Sequence, residues 1–154
     1  MKRKNAASLL ALIAGLACAG MRFGPLLSAQ KSDPIVMIAN KGNASASGMT
    51  KITARKLLLG DILKWPNGAK VAVVLRPVGS SERTSVLSAV CGMSEAEYTR
   101  HNLQAMFMGE TVASVQQEPS SATVRGFVKA NPGAVGFVHK SEVDDNVKVV
   151  WTME

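Results

Sequence analysis

Within nine residues, Arg76-Pro-Val-Gly79-Ser80-Ser81-Glu82-Arg83-Thr84, the chain sets two guanidinium groups and three hydroxyls around a single glycine. Guanidinium forks with hydroxyl and backbone N–H donors are the groups that hold tetrahedral oxyanions such as phosphate or sulfate, because a planar fork meets two oxygens at once. Arg76, Gly79, Ser80, Ser81, Arg83 and Thr84 are therefore the candidate ligand-binding residues. Such a loop works only if its ends are held. The preceding run Val71-Ala-Val-Val-Leu75 reads as a buried strand, Gly79 allows a sharp turn, and Ser80 or Ser81 caps a helix whose first N–H groups are free to face an anion. The same strand, turn and capped helix is also a plain change of direction in any α/β protein, and arginines beside a turn are usually solvated. The loop alone does not separate the two.

Other chemistry is thin. His101 falls mid-helix and His139 ends a strand, with no Cys or carboxylate at metal-ligand spacing, which gives both a surface or capping role. Asp144-Asp145-Asn146 reads as a turn, since a calcium loop needs more oxygen ligands in a fixed order. No metal or cofactor is expected. A serine at a strand-to-helix turn is also where a hydrolase nucleophile sits. Here the Gly-x-Ser-x-Gly flank is missing and no acid and His follow in a workable order, so the chain reads as a non-enzyme. Cys91 shares a helical face with Val86, Leu87 and Val90 and reads as a small core residue; Met106-Phe107-Met108 reads as core or as a partner surface.

The ends of the chain set its compartment and charge. Met1-Lys-Arg-Lys4 followed by the apolar stretch from Ala6 to Ala19 has the layout of an export signal, too short for a membrane span. Cleavage fits Ala17-Cys18-Ala19 or Leu27-Ser28-Ala29, so the expected division is a signal over residues 1–29, or ending after Ala19, and one domain over residues 30–154. Gly15 stands where a lipid-anchored precursor has leucine before its Cys, which argues against an anchor at Cys18. The expected location is the periplasm. Of the formal charge of +7, Lys2, Arg3, Lys4 and Arg22 lie in the first thirty residues, which hold no acid. The remainder is mildly basic with no Lys/Arg run or aromatic stripe, which excludes nucleic-acid binding and suits a protein that meets small anions. A domain of that length supports one core and no second lobe of equal size.

Periodicity orders the elements. Ile35 to Ala39 is a strand, left at Asn40-Lys-Gly42, and the Gly42–Gly48 stretch with its serines is a flexible loop that offers hydroxyls. Thr53 caps a short helix through Leu59, stopped by Gly60; Trp65-Pro66-Asn67-Gly68 turns into the strand at Val71 to Leu75. A second helix spans about Glu82 to Val90. A capping box at Ser94-Glu-Ala-Glu97 starts a third that carries Tyr98, Leu103, Met106 and Phe107. Ser120 or Ser121 opens a fourth with Val124, Phe127 and Val128, ended by Asn131-Pro-Gly133; Ala134 to His139 and Val147 to Trp151 are closing strands. Helices alternating with strands give an α/β sandwich around a central sheet.

Four segments carry a resemblance: Leu58-Leu59-Gly60, Trp65-Pro66-Asn67-Gly68, Arg76-Pro-Val-Gly79-Ser80-Ser81 and Asn131-Pro-Gly133-Ala-Val-Gly136-Phe-Val138. In order and spacing the chain resembles the periplasmic phosphate-binding proteins of ABC importers, and their shortened members best. The likeness runs from Ile35 to about Val150, and the closing Pro-Gly-Ala-Val-Gly-Phe-Val run is its most specific piece. It implies a single-lobe periplasmic-binding-protein-like α/β fold with a central mixed sheet, phosphate or a related oxyanion as ligand, and a membrane transporter or envelope protein as partner. The family's loop is Arg-x-Asp-Gly-Ser-Gly-Thr; Arg76, Gly79 and Ser80 match its Arg, Gly and Ser, Val78 stands at its Asp, and Ser81 and Glu82 replace Gly-Thr. The resemblance gives that Asp the proton of a bound hydrogen phosphate, a group this chain lacks. Glu82 at a helix start competes with an anion for the same N–H groups, a charge Arg83 could offset.

Full-length family members close two lobes over the ligand, and this chain holds one. A half-site in water weakens charge pairs, so a homodimer or a docked partner would restore enclosure. Two functions remain: an exported oxyanion-binding domain, or an exported interaction or sensory module with the same fold and no tight anion binding.

Overall fold

Ile35-Val-Met-Ile-Ala39 and Ala134-Val-Gly-Phe-Val138 are unbroken apolar runs without the alternation of a half-exposed strand, and both are buried along their length. That pattern belongs to strands covered on both faces. The computed structural model describes residues 33–154; the expected signal segment lies outside the described residues. Five strands, β1 Ile35–Asn40, β2 Ala72–Leu75, β3 Val115–Gln117, β4 Ala134–His139 and β5 Val147–Thr152, form one mixed sheet in the order β3-β2-β4-β1-β5. β2 runs parallel to both β3 and β4, whereas β1 runs antiparallel to β4 and β5.

The helices divide between the two faces. On one face Met37, Val73, Leu75, Val135 and Phe137 pack against Leu57 and Leu58 of α1 (Lys51–Leu59), Val86 of α2 (Ser81–Val86), the π-turn Leu87–Cys91 that continues it, and Tyr98 of α3 (Glu95–Phe107). On the other, Val36, Ile38, Val74 and Val138 meet Val124 and Val128 of α4 (Ser121–Ala130). Gly136 has a packing reason: a Cβ there would stand 2.7 Å from Val124 Cγ1, so the bare backbone lets α4 lie down on the sheet. Two of the separated sequence motifs meet in space, the buried Trp65 indole donating to the Gly133 carbonyl at 3.0 Å. Asn40 donates to the carbonyls of Val128 and Lys129, closing the C-terminal end of α4.

Three expectations change. Thr50, not Thr53, caps α1: its hydroxyl accepts from the Thr53 N–H at 3.2 Å. The first turn is Lys51 and an exposed Ile52, so the apolar period that marks the helix begins only at Ala54. β3 was not expected, because Val115-Gln-Gln117 is a three-residue edge strand with two exposed glutamines and no alternation to read. On α3 only Tyr98 and Ala105 are buried; Leu103, Met106, Phe107 and Met108 all face solvent. Cys91 is in the core, where burial pushes its thiol up to about 11. Among the described residues no helix is long and apolar enough to cross a membrane.

Candidate oxyanion site

Because β2 and β4 are parallel neighbours, the loop after β2 and the end of β4 open on the same end of the sheet. The C-terminal ends of parallel strands are where open α/β sheets place ligands. Leu75 leads into Arg76, Gly79 takes a left-handed φ of 89°, and the Ser80 N–H closes the turn on the Pro77 carbonyl at 3.1 Å. Nothing crowds the space a Gly79 Cβ would fill, so the backbone twist alone calls for glycine. Ser80, rather than Ser81, is the cap: its hydroxyl accepts from the Arg83 N–H at 3.3 Å. The Thr84 hydroxyl donates back to the Ser80 carbonyl at 3.0 Å.

The two arginines have different fates. The Arg83 fork is buried and doubly engaged: Nε and Nη2 each donate to Glu95 at 2.7 Å, and Nη1 donates to the Arg76 carbonyl at 3.4 Å. It ties α2 to the first turn of α3 and steadies the loop, and its fork has no free edge toward a ligand. Arg76 is held loosely. Its Nη1 reaches the Glu118 carbonyl at 3.5 Å, its Nε lies 3.8 Å from a Glu82 oxygen, and that buried Nε has no hydrogen-bond partner.

The Glu82 carboxyl sits below the usual carboxylate range, chiefly because its own backbone N–H donates to it, with help from the Ser81 hydroxyl, Arg76 and His139. His139, at the end of β4, bonds through Nδ1 to the Asp33 carbonyl at 3.0 Å. The Asp33 carboxylate accepts from the hydroxyl and N–H of Ser141, and the hydroxyl contact above all lowers its pKa. Sequence reasoning missed Glu95, Glu118 and the neighbourhood of His139. None left a local signal: Glu95 and Glu118 lie 12 and 42 positions from the arginines they meet, and that the strand ending in His139 lies parallel to β2 is something periodicity does not state. The Gly42–Gly48 loop opens at the opposite end of the sheet, since β1 runs against β4, and its serines do not reach this loop. There Ser45 and Ser47 line a cleft of about 460 Å³ with Trp65 and Lys64. Among the described residues no cluster of three or more His, Cys, Asp or Glu side chains could hold a metal ion.

A mixed sheet with helices on both faces and a capped loop beyond its parallel strands is an α/β fold of the periplasmic-binding-protein-like kind. Solved structures agree. A protein described as a phosphate ABC transporter substrate-binding protein with bound phosphate, from Clostridium perfringens, is 28% identical over 77% of this chain with a TM-score of 0.61. An ABC-type phosphate transport receptor from Vibrio cholerae matches at 24% identity over 77% of this chain with a TM-score of 0.59. The chain spans 44% and 45% of the length of these two. No family model matches the sequence. In fold the chain is similar to the phosphate-binding proteins of ABC importers, of which it spans less than half the length. Those neighbours are solute-binding proteins and transport receptors, not enzymes.

Proposed function

We propose that this chain is an exported oxyanion-binding domain, for phosphate or a related anion, that works with a membrane transporter or another envelope protein. The observation that carries the reading is the likeness, over three-quarters of this chain, to a phosphate ABC transporter substrate-binding protein with bound phosphate; in this chain a strand-to-helix loop with Arg76 follows β2. In this reading Arg76 supplies the charge, Ser80, Ser81 and the backbone after Gly79 supply neutral donors, and Arg83 with Thr84 fixes the loop from behind. Export over residues 1–29 completes the proposal. The decisive measurement is thermal stability of the protein in phosphate, sulfate and chloride at matched ionic strength, beside Arg76→Ala. A phosphate-selective rise lost in the variant is the expected result, growing with ligand concentration relative to Kd; equal responses to all three salts in both proteins would refute it.

The second reading, an interaction or sensory module, draws on a different observation. Leu103, Met106, Phe107 and Met108 expose an apolar cluster at the end of α3, with Phe107 89% exposed. Patches of that kind mark protein contacts. Size-exclusion of the parent against Phe107→Lys tests whether the cluster joins two copies.

A further inference from the structure

The seat beside Arg76 already holds a carboxylate. Glu82 places one oxygen 3.8 Å from Arg76 Nε and the other 3.1 Å from the Ser81 hydroxyl, which donates to it. Guanidinium and hydroxyl are two of the kinds of donor that a bound oxyanion would use. Both side chains are largely withdrawn from water, Arg76 19% and Glu82 21% exposed, so their charges are only partly screened. Arg83 offers no replacement charge, because Glu95 takes the Nε and Nη2 edge of its fork and the Arg76 carbonyl takes Nη1.

We infer that Glu82 is a built-in occupant of the oxyanion seat and the residue that sets its specificity, holding Arg76 against a doubly charged anion; this rests on the oxyanion reading above. Together Arg76 and Glu82 present no net charge to the loop. A dianion arriving there must share the guanidinium with a carboxylate or displace it, and until the carboxylate moves it meets repulsion that cancels the attraction of Arg76. Glu82→Gln keeps the length and one acceptor oxygen of the side chain, removes the charge and sets an amide donor in place of the other oxygen. The site should then take phosphate more tightly. Glu82→Thr removes the same charge with a different shape.

Calorimetric titration of the full chain with inorganic phosphate, at fixed pH and ionic strength, tests this in the parent, Glu82→Gln, Glu82→Thr, Arg76→Ala and the double variant Glu82→Gln with Arg76→Ala. Circular dichroism melts establish that each is folded. The expected result is tightening on the order of tenfold in both Glu82 variants, lost again in the double variant. If the Glu82 variants bind phosphate no better than the parent while Arg76→Ala weakens it, the role of Glu82 is overturned and the oxyanion reading stands. If none of the five proteins binds phosphate, the oxyanion reading falls and the inference falls with it.

Discussion

Arg76 and Arg83 flank the same loop, seven residues apart, yet one is an anchor and the other a free hand. Behind the loop, Arg83 is 6% exposed and meets Glu95 with two 2.7 Å bonds; in front, Arg76 has one long bond to a carbonyl and a carboxylate at 3.8 Å. A guanidinium whose fork is filled by a carboxylate of its own chain has little left for a ligand, whereas one held at arm's length can exchange partners. The rear of the loop is therefore built for rigidity and the front for exchange, and a ligand that needs pre-positioned donors requires both.

The sharpest way to break this contrast is from the rear. Glu95→Ala leaves a buried guanidinium unpaired and should lower stability by about 3 kcal/mol, read from urea unfolding, the partial exposure of Glu95 keeping the loss at the lower end for such pairs. A loss as small as that of an ordinary surface variant would mean that Arg83 is not the anchor. Next in size is Gly79→Ala, which forces a Cβ into a left-handed turn at roughly 1–2 kcal/mol with no steric clash to add; the same denaturation experiment should find it clearly below Glu95→Ala.

Arg76→Ala belongs to the front and should change stability in buffer by less than about 1 kcal/mol, as expected of a loosely held side chain. Its effect should fall instead on the phosphate response. A large loss of stability in plain buffer would erase the distinction between the two arginines.

The smallest effect is on pH. Ser94 and Glu97 form the capping box that starts α3, the helix on which Glu95 rides, and the bonds from the Ser94 N–H and hydroxyl lower the Glu97 pKa. A carboxyl that binds its proton less readily when folded contributes stability in full above its unfolded value, about 4.3, and loses it as pH falls through the lower folded value. Melting curves of Glu97→Gln should thus show a shallower decline in that acid window than the parent, while a decline of equal slope would assign the acid sensitivity to other carboxylates such as Asp33, Glu82 and Asp144, which are lowered too.

Local signals survive in the sequence where the physics is local. Caps at Ser94 and Ser120, the Gly60 stop, the Trp65-Pro-Asn-Gly turn and the apolar runs of β1 and β4 are each decided by neighbours within a few positions. The collinear motifs carried the fold for the same reason. The start of α1 was displaced because an exposed Ile52 breaks the apolar period, and β3 was invisible because an edge strand held by β2 alone needs no pattern of its own.

What the sequence determined by itself, then, is the loop: its strand, its glycine turn, its serine cap and the residue types able to meet an oxyanion. Only the tertiary structure decided what each charge does. The pairing of Arg83 with Glu95 spans 12 positions, Arg76 reaches Glu118 across 42, and the parallel pairing of β4 with β2 brings the end of β4 to the same end of the sheet as the loop. Hydrogen bonds and ion pairs act over a few ångströms in space, and the strand order that closes those distances is set by packing the whole core.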